Sequence, residues 1–555
     1  MGGLGRDRRG QRGDRTPTPR PRHPPGRFAR RPERPACAVG IFQAPLTMRT
    51  PPPLALVLLA LACVSEHGPL TNRMSQSTTS YLTRAARQPV SWQPWGREAF
   101  ALAARLDRPV LLYVGADDCR WCVVMDREVY GDPTIGAVID SLFVPVRVDR
   151  DERPDVAQRY EAAVQWLAGL RGYPLTLFLT PDGSAFLGGT YFPADDPVTG
   201  RGMKQMLPEV ARSYREQRRA IDQHAALARQ LAASRGAAAR GALRPGVIAA
   251  AIDTVRDALA AAARAAGGLG SFVHTQAAAL LLAAYARTDD TSYLAVARRA
   301  LDLLVDSAAG ASSPAAGVRD DPPSLVRAGL LRAVAQAWAL TAEARYRVVS
   351  GALLRFLTRD LGEADRPVFA DRDAYVIGSV LDGATAVDDS GATARGLAAL
   401  DRLLRRTYVA GRGVRHALRG DAGRSWLRDQ VQVAGACLAA YNATGRRRYL
   451  AVAEDLAAVL ERDYADPQGG YRDVAAGDPA VSSLADRTSS VLDDLLPGGN
   501  AWAARVLLQL AEATGDAQYR RRAAAALGAF AAVAPAQNVR AATYLGAAQQ
   551  LLAAR

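Results

Sequence analysis

The chain has 555 residues, 49% of them hydrophobic, a globular composition that is too long for one core, so at least two domains are expected. Net charge is +15, and Lys204 is the only lysine, so arginine supplies nearly all of the positive charge. Eleven of the arginines fall in residues 1–47 against three acids, and no basic run interleaved with aromatics follows, which excludes a nucleic-acid partner. Five cysteines are too few for a disulfide scaffold.

Residues 1–47 are rich in Arg, Pro and Gly without apolar period, and read as a disordered extension or as sequence ahead of the true start at Met48. Residues 48–63 then have the layout of a secretory signal: a short basic start, an apolar run from Leu54 to Ala62, and small residues at the cleavage positions. Cys63 stands where a bacterial lipoprotein carries its lipid. The expected location is therefore the cell envelope or the outside, with the cytoplasm as the alternative and a lipid on Cys63 as the one membrane attachment. Residues 64–90 are polar and read as a linker.

The folded part is expected from residue 91. Glu98 to Leu106 is a short amphipathic helix, and Pro109 to Val114 an apolar, β-prone strand. After the turn Gly115–Asp118 comes Cys119-Arg120-Trp121-Cys122, followed by helical spacing to Tyr130 without Gly or Pro. A CxxC pair at the head of a helix can close a small disulfide ring. There the helix dipole and free backbone N–H groups favour a thiolate, and Arg120 adds positive charge. Phe143–Val148 is a second strand. The charge cluster Asp149–Asp155 at its end reads as a solvated strand end with internal ion pairs. A helix around 156–167, then Gly172-Tyr173-Pro174, the strand Leu175–Leu179 and the turn Pro181-Asp182-Gly183 complete an α/β pattern over 91–200.

Residues 201–245 read as a long charged helix and a linker. From 246 to 555 the chain is Ala- and Leu-rich at helical spacing, and a Thr precedes a Tyr by five residues at Thr288/Tyr293, Thr341/Tyr346, Thr444/Tyr449 and Thr514/Tyr519. The tyrosine spacings correspond to one and two units of about fifty residues, which implies stacked helical hairpins that bury their apolar faces on one another. Whether the stack closes or stays open is not set by the period. Gly267-Gly-Leu-Gly270 lies between helices and lacks a preceding strand, so it is a turn rather than a phosphate cradle.

The run from Tyr81 through Pro193 resembles the thioredoxin-like domain of the spermatogenesis-associated thioredoxin-like family. The matching stretches are Trp92-Gln-Pro-Trp95, Cys119-Arg-Trp-Cys122 with Met125 and Glu128, Val148–Asp155, Gly172-Tyr-Pro174 through Gly183, and Gly188-Gly-Thr-Tyr-Phe-Pro193. The resemblance implies a cis Pro174 facing the CxxC, with Tyr173 and Trp121 supporting it, and a C-terminal α/α toroid related to six-hairpin sugar-processing enzymes. Ala440–Gly445, Gly469-Gly-Tyr471, Pro497–Asn500 and Ala513–Asp516 match its second half. Two departures stand out. Arg120 and Val123 replace the histidines that usually flank the Trp-Cys pair, and Pro322–Val326 replaces a His-Phe-Glu-Lys run, so the toroid reads as reduced.

The expected function is thiol–disulfide exchange on a protein partner, with Cys119 attacking and Cys122 resolving. The alternatives are a toroid that binds or modifies carbohydrate, with Asp429, Asp493 and Asn500 in its cleft, and a non-catalytic interaction protein. The five histidines all lie away from the CxxC and no second CxxC exists, so neither a metal nor another cofactor is expected.

Overall fold

The computed structural model describes residues 70–237, 239–265, 268–310, 323–361, 369–417, 425–476 and 489–553. The Arg-rich extension, the expected signal at 48–63 with Cys63, and Pro322 and Gly267 lie outside the described residues. The segment expected as a linker is, from residue 70 onward, part of the first domain's core. Met74, Tyr81, Val90 and Trp92 are fully or almost fully buried, and Thr79 caps helix α1 (Ser80–Arg84) by accepting from Leu82 N.

The α/β domain continues with β1 (Gln93–Pro94), α2 (Arg97–Leu106), β2 (Val110–Gly115), α3 (Arg120–Glu128), α4 (Pro133–Leu142), β3 (Val144–Asp149), α5 (Pro154–Ala168), β4 (Leu175–Leu179) and β5 (Ala185–Gly189). The sheet order is β1-β3-β2-β4-β5, with β1, β3 and β2 parallel and β4 and β5 antiparallel. Strands β2, β3 and β4 are buried along their whole length, and β2 and β4 accordingly read as nearly continuous apolar runs. Their register places Gly115 beside Asp149 and Val114 beside Leu175. The loops carrying the CxxC, the charge cluster and Pro174 therefore leave one end of the sheet together. The long charged helix is two helices, α6 (Met203–Glu216) and α7 (Arg218–Ala237), broken at Gln217.

The remainder is twelve helices in six hairpins. The outer helices are α8 (Pro245–Arg264), α10 (Thr291–Gly310), α12 (Ala344–Asp360), α14 (Ser390–Thr407), α16 (Arg447–Val459) and α18 (Ala517–Gly528). The inner ones are α9 (Phe272–Thr288), α11 (Pro323–Thr341), α13 (Ala370–Val387), α15 (Leu427–Thr444), α17 (Gly499–Thr514) and α19 (Ala542–Ala553). Each inner helix packs on the next, and α19 packs back on α9, so the stack closes into a ring with α8 covering the seam. The reduction seen in the motifs is not a reduction in helices. A small ribbon, β6 (Tyr408–Val409) with β7 (Gly413–Val414), leads from α14 toward α15. Among the described residues no helix is long and apolar enough to cross a membrane.

The Thr–Tyr repeat marks the short turn from an inner helix to the outer helix that follows it. Each Thr hydroxyl donates to the carbonyl four residues back and accepts the N–H two residues on: Thr288 to Ala284 O and from Asp290 N, Thr444 to Ala440 O and from Arg446 N, Thr514 to Leu510 O and from Asp516 N. The residue between is left-handed, φ 54° at Asp289 and at Ala342, 67° at Gly445 and 77° at Gly515. At the third of these five turns, where the repeat skips a unit, Asp389 caps α14 instead by accepting from Ala392 N.

Candidate functional site

Cys119 and Cys122 are joined in a disulfide with Cα atoms 5.2 Å apart. Cys119 is the N-cap of α3, its Sγ accepting from Cys122 N at 3.1 Å, so the sulfur lies on the positive end of the helix. The Tyr173–Pro174 bond is cis, and the β2–β4 register sets it next to the loop that leads to Cys119. Trp121, half-buried, packs on Tyr191 with ring centres 4.8 Å apart, and Arg120 is exposed. Both cysteines are completely buried.

Behind the disulfide lies an aromatic box. Tyr81, Trp92 and Tyr113 surround the buried Arg147 guanidinium at 4.1, 5.6 and 5.1 Å. Arg147 pairs in a fork with Asp126 of α3, both bonds 2.7 Å, which ties the helix bearing the cysteines to the sheet. The Tyr81 hydroxyl is buried and has no hydrogen-bond partner among the described residues. A Cβ on Gly115 would stand 2.2 Å from that hydroxyl and 2.9 Å from Cys122 Sγ, so glycine is what lets the phenol approach the sulfur. Burial pushes the Tyr81 pKa well up, so its proton stays on.

The Asp149–Asp155 cluster is not a solvated strand end. Asp149, Arg150, Arg153 and Asp155 are all buried, because the helical ring lies against them. Arg150 donates to Asp118 at 2.6 Å and Asp151 at 3.0 Å, and stands 5.0 Å over the Tyr173 ring. Arg372, at the start of α13, pairs with both Asp151 and Asp118. His416 Nε2 donates to the Asp151 carbonyl at 2.7 Å, and Gln158 Nε2 to Asp494 at 3.1 Å. The contacts come from the start of α13 and from the segments leading into α15 and α17, so the cysteine-bearing loops face the mouth of the ring. A cleft of about 220 Å³ remains between them, with Asp117, Asp118, Asp149 and Asp151 on one wall and Leu325, Phe369, Arg372 and Asp373 on the other. Burial, then the neighbouring Asp151, pushes the Asp149 carboxyl up to about 7.

The other expected residues have separate duties. Asp429 accepts from Trp426 N and from His416 Nδ1, at 2.8 and 2.7 Å. Asp493 accepts from Gly498 N and Thr543 N. Asn500 clasps Tyr471 through N and O and reaches Ser490 O. As bonded here, these three hold helix starts and loops. Asp371, His416 and Asp429 offer three metal-ligand atoms close together, but both ring nitrogens of His416 already donate to oxygen acceptors, so the set fits a buried ion pair better than an ion. His416, Arg372, Tyr81 and Arg147 were not singled out from sequence. Only Tyr81 had a local signal, as the first residue of the family match.

Residues 71–232 match the family model described as "Protein of unknown function, DUF255", a thioredoxin-like family. Human Spermatogenesis-associated protein 20 is 37% identical over 150 residues, covering 27% of this chain and 19% of that protein. Uncharacterized protein B0495.5 of Caenorhabditis elegans is 37% identical over 155 residues, covering 28% and 21%. The chain thus spans about a fifth of the length of the curated relatives it matches. Among solved structures, an unsaturated glucuronyl hydrolase specific for heparin is similar over 56% of this chain and 98% of its own, at 14% identity and TM-score 0.44. The cellobiose 2-epimerase from Bacillus thermoamylovorans covers 46% and 74%, at 12% identity and TM-score 0.39. Likenesses of that size carry no functional weight for this chain.

Proposed function

For a chain whose residues 71–232 match the DUF255 family model and are similar to the spermatogenesis-associated thioredoxin-like proteins, we propose thiol–disulfide exchange at Cys119 and Cys122, with the helical ring controlling access. The supporting observation is a disulfide at the head of α3 beside the Tyr173–Pro174 loop. In the reducing direction, the Cys119 thiolate attacks a partner disulfide, forming a mixed disulfide and releasing one partner thiolate. The Cys122 thiolate then attacks Cys119 Sγ, the second partner thiolate leaves, and the ring disulfide re-forms. A small dithiol or dithiol protein returns the pair to the reduced state. The Tyr81 hydroxyl, free of other partners, is placed to hydrogen-bond the Cys122 thiolate while it waits. Because both sulfurs are buried, a protein partner reaches them only after the ring's Arg372 releases Asp118 and Asp151. The signal-like pattern at 48–63 makes the cell envelope the setting we attach to this reading.

The test is turnover of a disulfide reporter, with dithiothreitol as reductant, by the full chain and by Cys119→Ser. Loss of turnover to the uncatalysed rate in the variant is expected. Equal turnover by both proteins would remove the proposal.

A further inference from the structure

The inner helices turn polar side chains into the bore of the ring, and several find partners there. Gln276 Nε2 donates to the Tyr375 hydroxyl at 3.0 Å, Arg332 Nε donates to Ser379 Oγ at 2.7 Å, and Arg332 Nη1 pairs with Asp382. Three groups at the same level do not. The Gln432 side chain is 1% exposed, yet among the described residues neither its amide nitrogen nor its oxygen has a hydrogen-bond partner. Trp502 Nε1 is buried without an acceptor. Arg505 makes no hydrogen bond and no ion pair among the described residues; what it has is the Trp502 ring, 5.0 Å from its Cζ.

These groups converge. Arg332 Cζ stands 5.3 Å from the Trp502 ring centre and 5.3 Å from that of Tyr375, and the two rings are 5.8 Å apart. Trp502 Nε1 points at α15, where a Cβ on Gly435 would lie 2.8 Å from it. Gln432 is one turn before Gly435 and Ala436 on the same face of that helix, so its amide opens onto the same space. The charge does not balance. Asp382 answers Arg332, and the other carboxylate acting on Arg505 is Asp493, which already accepts from Gly498 N and Thr543 N. Burial and the nearby Arg332 both lower the Arg505 pKa. A partly buried arginine without a hydrogen bond or ion pair of its own, beside a buried amide without partners among the described residues, is an arrangement that a bound anion completes.

We propose that the bore is a binding site for a small hydroxylated carboxylate. Its carboxylate takes the fork of Arg505 and the Trp502 N–H. The Gln432 amide leaves one donor and one acceptor open together, and a hydroxyl beside the carboxylate answers both. Asp382, whose side chain is 40% exposed near the C-terminal end of α13, marks the approach from the end away from the thioredoxin-like domain.

Thermal unfolding of the full chain with sodium gluconate tests this, with sorbitol as the uncharged analogue and sodium phosphate as a bare anion. Gluconate at ten times its Kd is expected to raise Tm by about 2 °C, sorbitol and phosphate by less than half of that. Arg505→Gln is expected to abolish the gluconate shift, and Gln432→Leu to weaken it at least about fivefold in Kd. Without ligand, Arg505→Met is expected to match the wild-type Tm, because the side chain has no hydrogen bond or ion pair among the described residues to lose. No gluconate shift, an equal shift with sorbitol or phosphate, or a shift that survives Arg505→Gln would overturn the assignment.

Discussion

His416 is held between two domains by both of its ring nitrogens. Nδ1 donates to Asp429 and Nε2 to the carbonyl of Asp151, so the ring carries a proton on each. Burial alone would lower its pKa; Asp429 first, then Asp371 and the Asp151 carbonyl, outweigh it and raise it to about 9. Folding thus keeps a proton that the unfolded chain gives up near 6.5. The stabilisation is whole below about 6.5 and is lost as pH rises through about 9, on the order of 2–3 kcal/mol in all. Asp149 and Asp493, both pushed up to about 7 by burial, oppose folding increasingly between about pH 4 and 7 and then stop contributing further change. Between pH 7 and about 8.5 the fall therefore belongs to His416; higher still, the buried Cys437 thiol and the buried tyrosines, pushed up by burial, add to it. Tm measured from pH 7 to 8.5 should drop in the wild type and stay nearly level in His416→Asn; parallel curves would show that the imidazole has no such part. The residues legible from sequence were those with local marks, Cys119, Cys122 and Pro174. His416 had none, because its partner Asp151 is 265 positions away.

At the scale of elements, the repeated Thr shows what a sequence period can encode. Its hydroxyl closes the last turn of an inner helix and receives the first N–H of the passage outward. Thr444→Val keeps the shape and removes both bonds, and should cost about 1–2 kcal/mol in chemical denaturation; a change within error would mean the repeat is only a packing preference. Strands β2 and β4 were readable because buried strands are apolar throughout. Helix α4 was missed although Asp132-Pro133 announces it: Asp132 accepts from Thr134 N and Pro133 fills the first turn. The break at Gln217 has neither Gly nor Pro to signal it. The segment from residue 70 was read as a linker because its apolar residues are spaced among polar ones, and only the sheet and α4 against which they pack reveal them as core.

Over the whole molecule, the closed ring and the sheet meet with the disulfide loops turned inward. Periodicity implied hairpins but could not close them, since closure depends on α19 meeting α9, more than 250 residues apart. Charge placement makes the contact specific. Arg372 and His416 on the ring meet Asp118 and the Asp151 loop on the other domain, and breaking one partner leaves the rest buried and unanswered. A disulfide under such a cover is protected from small reductants and large partners alike, and uncovering it is the step on which the proposed exchange depends. The direct measurement is the rate at which dithiothreitol reduces the Cys119–Cys122 bond, followed by alkylation and peptide mapping, in the full-length wild type and in Arg372→Ala. The account predicts reduction at least about threefold faster in the variant, where one of the clasps on Asp118 and Asp151 is gone. Equal rates would contradict it, because the ring would then have no hold on access to the sulfurs.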